Sequence, residues 1–220
     1  MNKKDLRELA ERLTGTLHWD RLHQSLYATD ASVYRMTPLA VAFPKDTEDL
    51  RKLIAFAGKH GCGLIPRTAG TSLAGQCVGP GIVVDVSRHF TEILDLDVAR
   101  KQVRVQPGVV RDELNAFLKP HGLFFGPNTS TSNRCMIGGM VGNNSSGTTS
   151  IRYGVTRDKV LSLKVLLSDG SQAEVGALDR DAYQAKTLGN NLEATIYNNI
   201  HKELSDKQIQ EEIRSEFPNP

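Results

Sequence analysis

A chain of 220 residues has room for one large domain or two small ones and is long enough to bury a hydrophobic core. Hydrophobic residues at 39% and charged residues at 24% exclude both a disordered polyelectrolyte and a cysteine-stapled miniature. The formal charge of +2 and the pI near 8.4 come from interspersed signs, without a Lys/Arg stripe, so nucleic acid is not expected as a partner. Cys62, Cys77 and Cys135 form no CxxC or Cys/His ligand spacing, and no metal site is expected. The charged start, Met1 to Leu17, lacks the apolar core of a signal peptide, and no later run reaches membrane-spanning length. A cytoplasmic location is expected, with peripheral contact with the inner membrane left open.

In chain order, Leu6, Leu9, Ala10 and Leu13 share one face of an amphipathic helix over Lys4 to Leu13. An irregular stretch containing Tyr27, Asp30 and Tyr34 follows, then a compact apolar run, Leu39 to Phe43, that reads as a strand halted by Pro44. Asp46 offers a helix N-cap, Leu50, Leu53, Ile54 and Ala57 repeat at helical spacing, and Gly61 is the stop. Strands are expected at Gly63 to Pro66, Ile82 to Val86, Glu92 to Leu96 and Gln102 to Val105, the last broken by Pro107-Gly108. Val110, Leu114, Phe117 and Leu118 outline a helix ending near His121-Gly122. Gly126 to Gly154 carries almost no periodic signal, and a loop that long inside a domain is usually functional. Val160 to Leu167 resumes as a strand, and from Asn191 the isoleucines and leucines at 196, 200, 204, 209 and 213 suggest a helical tail that frays toward Phe-Pro-Asn-Pro. The overall expectation is α+β.

Two stretches carry chemistry. Pro66-Arg67-Thr68-Ala69-Gly70-Thr71-Ser72-Leu73-Ala74-Gly75-Gln76 passes from a strand end into small and hydroxyl-bearing residues. Without bulky Cβ groups, successive backbone N–H groups can face one concavity and hold an anion with no lysine, and the Thr71 and Ser72 hydroxyls add donors. The pattern lacks the Gly-Lys-Ser/Thr end of a triphosphatase loop and is not GxGxxG. An ordinary surface turn is the competing reading. The second stretch runs from Gly126-Pro127-Asn128-Thr129 through Ile137-Gly138-Gly139-Met140-Val141-Gly142-Asn143-Asn144-Ser145-Ser146-Gly147 to Arg152-Tyr153-Gly154. Dense glycines let backbone approach a flat ligand while Asn and Ser supply donors and acceptors. Interleaved Ile137, Met140 and Val141 argue against a flexible linker.

These stretches, with Gln106-Pro107-Gly108-Val109, Tyr153-Gly154-Val155-Thr156-Arg157-Asp158 and Asp169-Gly170, resemble the FAD-binding (PCMH-type) domain of the vanillyl-alcohol oxidase superfamily. The nearest branch is the D-lactate and glycolate dehydrogenase type, and the resemblance covers roughly Leu39 to Val175 in order. It implies a two-part FAD domain over 37–178, a small α/β piece at about 37–88 followed by a larger mixed-sheet piece at about 89–178, flanked by helices. An N-terminal helical extension at 1–36 and a helical tail at 179–220 would frame it. By position, Arg67, Ala69, Gly70, Thr71, Ser72 and Gly75 would surround the pyrophosphate, with Leu73 and Gln76 nearby. Pro127, Ser132, Gly138, Gly139, Gly142, Asn143, Ser146 and Gly147 would line the pyrophosphate, ribose and isoalloxazine side. Tyr153 and Gly154 would hold that loop's fold, and Val160 would sit near adenine.

Some relatives attach flavin through a histidine where this chain has Thr71, and a hydroxyl cannot replace imidazole there, so FAD is expected to be non-covalent. None of the six histidines is nominated for a role. The resemblance further implies oxidation of a 2-hydroxy acid such as D-lactate or glycolate, with electrons passed to an iron–sulfur module or a respiratory acceptor. Its substrate domain would lie beyond Pro220, so the catalytic residues stay unknown and the chain is expected to be inactive alone. Open alternatives are a UDP-N-acetylenolpyruvoylglucosamine reductase-like enzyme fed by NADPH, an electron-transfer FAD module without its own substrate, and a cofactor-free interaction domain.

Overall fold

The computed structural model describes residues 2–217, and its contacts divide the chain into two units, 1–160 and 161–220. The last three residues of the end expected to fray lie outside the described residues.

The first unit is built on a four-stranded sheet. Helix α1 (Lys3–Arg12) starts at Asn2, whose side chain accepts from Lys4 and Asp5 N–H while Asp5 returns a bond to the Asn2 N–H. This reciprocal cap satisfies donors that the first turn would otherwise leave orphaned. Strand β1 (Thr16–His18) and helix α2 (Arg21–Leu26, capped by Asp20) follow, then β2 (Ala40–Phe43), α3 (Thr47–His60), β3 (Leu64–Arg67) and β4 (Ile82–Asp85). The order across the sheet is β1-β2-β4-β3, with β1 antiparallel to β2 and the other three parallel. Central strands β2 and β4 are buried at every position, as expected for parallel strands covered on both faces. Leu6 and Leu9 of α1, Leu53 and Phe56 of α3, and Ile82 and Val84 of β4 form one core. Helix α1 and strand β1, both ahead of residue 37, thus contribute a helix to that core and a strand to that sheet, because the apolar face of α1 finds the sheet to cover.

Asp49 is fully buried in α3. Its carboxylate accepts the N–H groups of Thr14 (2.8 Å), Gly15 (2.7 Å) and Lys45 (3.1 Å), with Lys52 Nζ at 3.5 Å. Burial alone would raise its pKa, but these bonds outweigh the desolvation and hold it below the usual carboxylate range. One side chain so joins the α1–β1 turn, the β2–α3 turn and α3.

Strands β5 (Ile93–Asp97) and β6 (Gln102–Val105) form a hairpin, and helix α4 (Arg111–Leu118) shares a second core with it through Val109, Leu114 and Leu118. The stretch expected to be aperiodic contains two short helices, α5 (Ile137–Gly142) and α6 (Ser150–Tyr153). Their brevity and their glycines hide them from any periodicity count. The second unit holds the hairpin β7 (Ser162–Leu166) and β8 (Gln172–Gly176) and helices α7 (Arg180–Thr187), α8 (Leu192–Leu204) and α9 (Lys207–Glu216). Helix α7 starts at Arg180 with Asp179 as its cap, inside the 179–220 stretch expected to be a helical tail. In this unit Lys186 pairs with Glu193, and the Tyr183 and Tyr197 rings meet edge to face at 5.6 Å.

Candidate functional site

The chain leaves the C-terminal end of β3 at Arg67 and enters the first glycine-bearing loop. In open sheets with parallel strands, ligands gather at such carboxyl ends. Gly70 and Gly75 have φ of 67° and 70°, a left-handed conformation that side chains rarely adopt. Among the described residues, the backbone N–H groups of Gly70, Thr71, Ser72 and Leu73 make no hydrogen bond. Four consecutive donors are therefore left in a partly exposed loop that contains no lysine. The Ser72 hydroxyl works inside the loop: it accepts from the N–H groups of Ala74 and Gln76 and donates to Gln76 Oε1 at 2.8 Å. Its proton is engaged there, so the donors left open are the backbone amides and the Thr71 hydroxyl.

The second stretch meets the first directly. Gln76 Nε2 donates to Asn143 Oδ1 at 2.8 Å, and Asn143 Nδ2 donates to Ser145 Oγ at 3.2 Å. Gly139 lies against the Thr68 hydroxyl, and Gly138 lies against Pro107 of the turn after β6. At Gly147 the Cα faces the Asn128 carbonyl so closely that a Cβ would overlap its oxygen. Glycine is required there by contact, whatever the local φ. Thr156 is fully buried and its hydroxyl donates to the Ser145 carbonyl at 2.6 Å, pinning the far side of the loop. The Asn128 side-chain oxygen is buried and has no hydrogen-bond partner among the described residues.

The remaining nominated residues differ in exposure and in partners. Gly142 and Ser146 are exposed beside Asn143 and Gly147, with open space where a Cβ on Gly142 would stand. Pro127 is buried, its carbonyl taking the Arg111 Nε at 3.2 Å, and Ser132 donates to Asp112 at 3.0 Å. The Arg111 and Ser132 hydrogen bonds hold the Asp112 carboxyl below its ordinary range. Both residues therefore tie the stretch to α4 at its protein-facing side. The Tyr153 ring packs against Gly126 and meets Phe124 edge to face at 5.1 Å, and Gly154 has a φ of 76°. Val160 closes the turn at 156–159 through its N–H to the Arg157 carbonyl, and no described hydrogen bond or ring contact joins it to the two loops.

Sequence reading placed Thr68, Asn128 and Thr156 inside the quoted stretches but assigned them no contacts, because the signal available was only adjacency to the glycines. It missed that His18, Asp20 and His23 gather at the β1–α2 turn. Asp20 is engaged there as the α2 cap and accepts the His23 ring nitrogen at 2.7 Å. The two imidazoles stack at 3.9 Å and 12°. A metal must lie in the plane of each ring it binds, so parallel stacked rings do not form a ready centre.

The chain fits a dinucleotide in two respects. Unpaired amides in sequence suit an anionic pyrophosphate, and a glycine-lined stretch bonded to that loop leaves backbone open to a flat ring. Residues 38–176 match the FAD binding domain family. The chain is 39% identical over 207 residues to D-2-hydroxyglutarate dehydrogenase of Pseudomonas putida, covering 93% of this chain and 20% of that protein. It is 32% identical over 180 residues to glycolate oxidase subunit GlcD of Bacillus subtilis, covering 80% of this chain and 38% of that one. Among solved structures, alkyldihydroxyacetonephosphate synthase shares the fold with a TM-score of 0.70 at 20% identity, over 89% of this chain and 37% of that one. The 6-hydroxy-D-nicotine oxidase of Arthrobacter nicotinovorans does so with a TM-score of 0.64 at 20% identity, over 74% and 36%. The chain thus spans about a fifth of the length of the dehydrogenase it matches.

Proposed function

The chain belongs to the FAD binding domain family, and from that premise we propose that it is the FAD-binding portion of a flavin-dependent dehydrogenase that oxidises a D-2-hydroxy acid. The observation that carries this reading is the identity of 39% to a D-2-hydroxyglutarate dehydrogenase across 93% of the chain. It is supported by the row of unpaired amides at Gly70 to Leu73. That loop would hold the pyrophosphate, and the stretch from Gly138 to Gly147 would face the ribose and the isoalloxazine. We place the cofactor-binding portion at 37–178, with its small piece ending near residue 88.

Bound FAD would supply a two-electron acceptor for the hydroxyl-bearing carbon. The chain's own contribution is binding: amides aimed at negative charge, glycines that admit close approach, and the Gln76–Asn143 bond that fixes one loop against the other. Thr71 offers a hydroxyl where a covalent linkage would need imidazole, so the flavin is held without a bond to the protein. Among the described residues no helix is long and apolar enough to cross a membrane. We assign the protein to the cytoplasm, with contact at the inner membrane left open, and with electrons passed to an iron–sulfur module or a respiratory acceptor.

The test is flavin absorbance in the purified full-length protein, released into the supernatant by acid precipitation, and bleached anaerobically by D-2-hydroxyglutarate, D-lactate or glycolate. Absence of flavin refutes the cofactor, and flavin that stays on the precipitated polypeptide refutes non-covalent binding. Bleaching by NADPH and by none of the acids refutes the substrate class.

A further inference from the structure

Residues 27–36 lie outside the stretch matched to the FAD binding domain family, yet they back the first glycine loop. The segment is closed on itself. Met36 N–H donates to the Ala28 carbonyl at 2.8 Å, Thr29 and Arg35 form a bridge, and Asp30 accepts the Ser32 N–H at 2.8 Å. Four contacts then run from it to the loop. Arg67 Nη1 donates to the Thr29 carbonyl at 2.8 Å while its guanidinium lies 5.0 Å over the Tyr27 ring. Gly70 rests its Cα on that same guanidinium, and its carbonyl accepts the Ala31 N–H at 3.2 Å. At Gly75 a Cβ would stand 2.8 Å from the Tyr34 ring, so the glycine is seated on the aromatic face.

Tyr27 is itself anchored from below. Its hydroxyl donates to Asp85 at 2.6 Å, and Asp85, buried at the end of β4, also takes the Ser87 N–H at 2.7 Å. Burial, and then this hydrogen bond, raise the Tyr27 phenol far above its ordinary range, so it stays protonated and donating. Both left-handed glycines of the loop, Gly70 and Gly75, therefore sit on groups that the segment fixes. The loop's internal hydrogen bonds gather around Ser72 and leave the amides of Gly70 to Leu73 unpaired, so a wall behind that stretch lowers the ordering cost of binding.

We propose that Tyr27 and Tyr34 are positioning residues for the anion loop, acting through Arg67 and Gly70 and through Gly75, and that they set affinity for the pyrophosphate end of the cofactor without touching it. This rests on the FAD reading given above. The discriminating measurement compares binding of FAD and of riboflavin, which lacks the pyrophosphate, to the full-length protein stripped of flavin. Tyr34→Ala, whose parent side chain is more than half exposed, and Tyr27→Leu are expected to weaken FAD by about tenfold each and to leave riboflavin unchanged. Tyr27→Phe keeps the ring under the guanidinium but loses the anchor on Asp85, so its FAD affinity is expected to lie between those of the wild type and Tyr27→Leu. Unchanged FAD affinity in Tyr34→Ala overturns the proposal, as does a parallel fall for both flavins; should Tyr27→Leu not fold, Tyr34→Ala decides alone. If the wild-type protein binds neither flavin, the FAD reading fails separately. Amide hydrogen exchange at residues 70–75 then decides: faster exchange in Tyr34→Ala supports the positioning role, and unchanged exchange removes it.

Discussion

The parallel sheet and the glycine-rich stretch after it are held by opposite means within one unit. In the sheet, β2 and β4 are buried at every position and packed between helices, so its shape follows from where apolar side chains sit. From Gly126 to Gly154 the buried apolar side chains are few, and position is set by hydroxyls, amides and close backbone approach. The first is stabilised by area removed from water and tolerates polar change at its rim. The second depends on single contacts, each worth little to stability and much to geometry.

That contrast breaks if the variants do not sort themselves accordingly. The largest effect is expected from Leu53→Ala in α3, a fully buried side chain, which should cost about 3 kcal/mol in urea unfolding. Asp49→Asn should follow at about 2 kcal/mol, since it leaves backbone donors of Thr14, Gly15 and Lys45 poorly matched. Its pH dependence has a fixed sign. The native carboxyl titrates below its unfolded value, so its contribution is complete above about pH 4 and is lost as pH falls through the native pKa. The difference between wild type and Asp49→Asn in denaturant midpoint should therefore be full at neutral pH and shrink in acid; a constant difference across that window would remove the ionic account.

Gly147→Ala should sharpen the other side of the comparison. The added methyl meets the Asn128 carbonyl, a backbone atom that cannot step aside cheaply, and FAD affinity should fall about tenfold with a smaller change in global stability. Calorimetric titration with FAD alongside thermal unfolding separates the two. Smallest of all, Gln76→Ala and Asn143→Ala should each cost under about 1 kcal/mol, with a coupling of about 0.5 kcal/mol in a double-mutant cycle on FAD binding. Zero coupling would mean that the hydrogen bond does not transmit between the loops.

The same division decided what could be read from the amino acids. Strands β2 and β4 and helix α3 were legible because apolar spacing and the Asp46 and Gly61 caps announce them. The α+β class was legible through the mixture of short apolar runs and helical spacing, and the family through glycine order. Strand β1 was not, since three residues with one buried side chain carry no period. Helices α5 and α6 were hidden for the same reason. The supporting role of residues 27–36 was invisible because it runs through the Thr29 and Gly70 carbonyls and the face of Arg67, none of which has a spacing signature. Glycine marks where backbone must pass closely, but it does not name the neighbour.

The Gln76–Asn143 hydrogen bond spans a sequence separation of 67 residues. During synthesis the first loop can be made, and the sheet behind it assembled, long before its partner leaves the ribosome. The contact between the two loops is therefore among the last features of the first unit to exist. With FAD placed as proposed, flavin uptake would report that a nascent chain has finished folding there, and a chain interrupted between the two residues would carry the sheet without that contact.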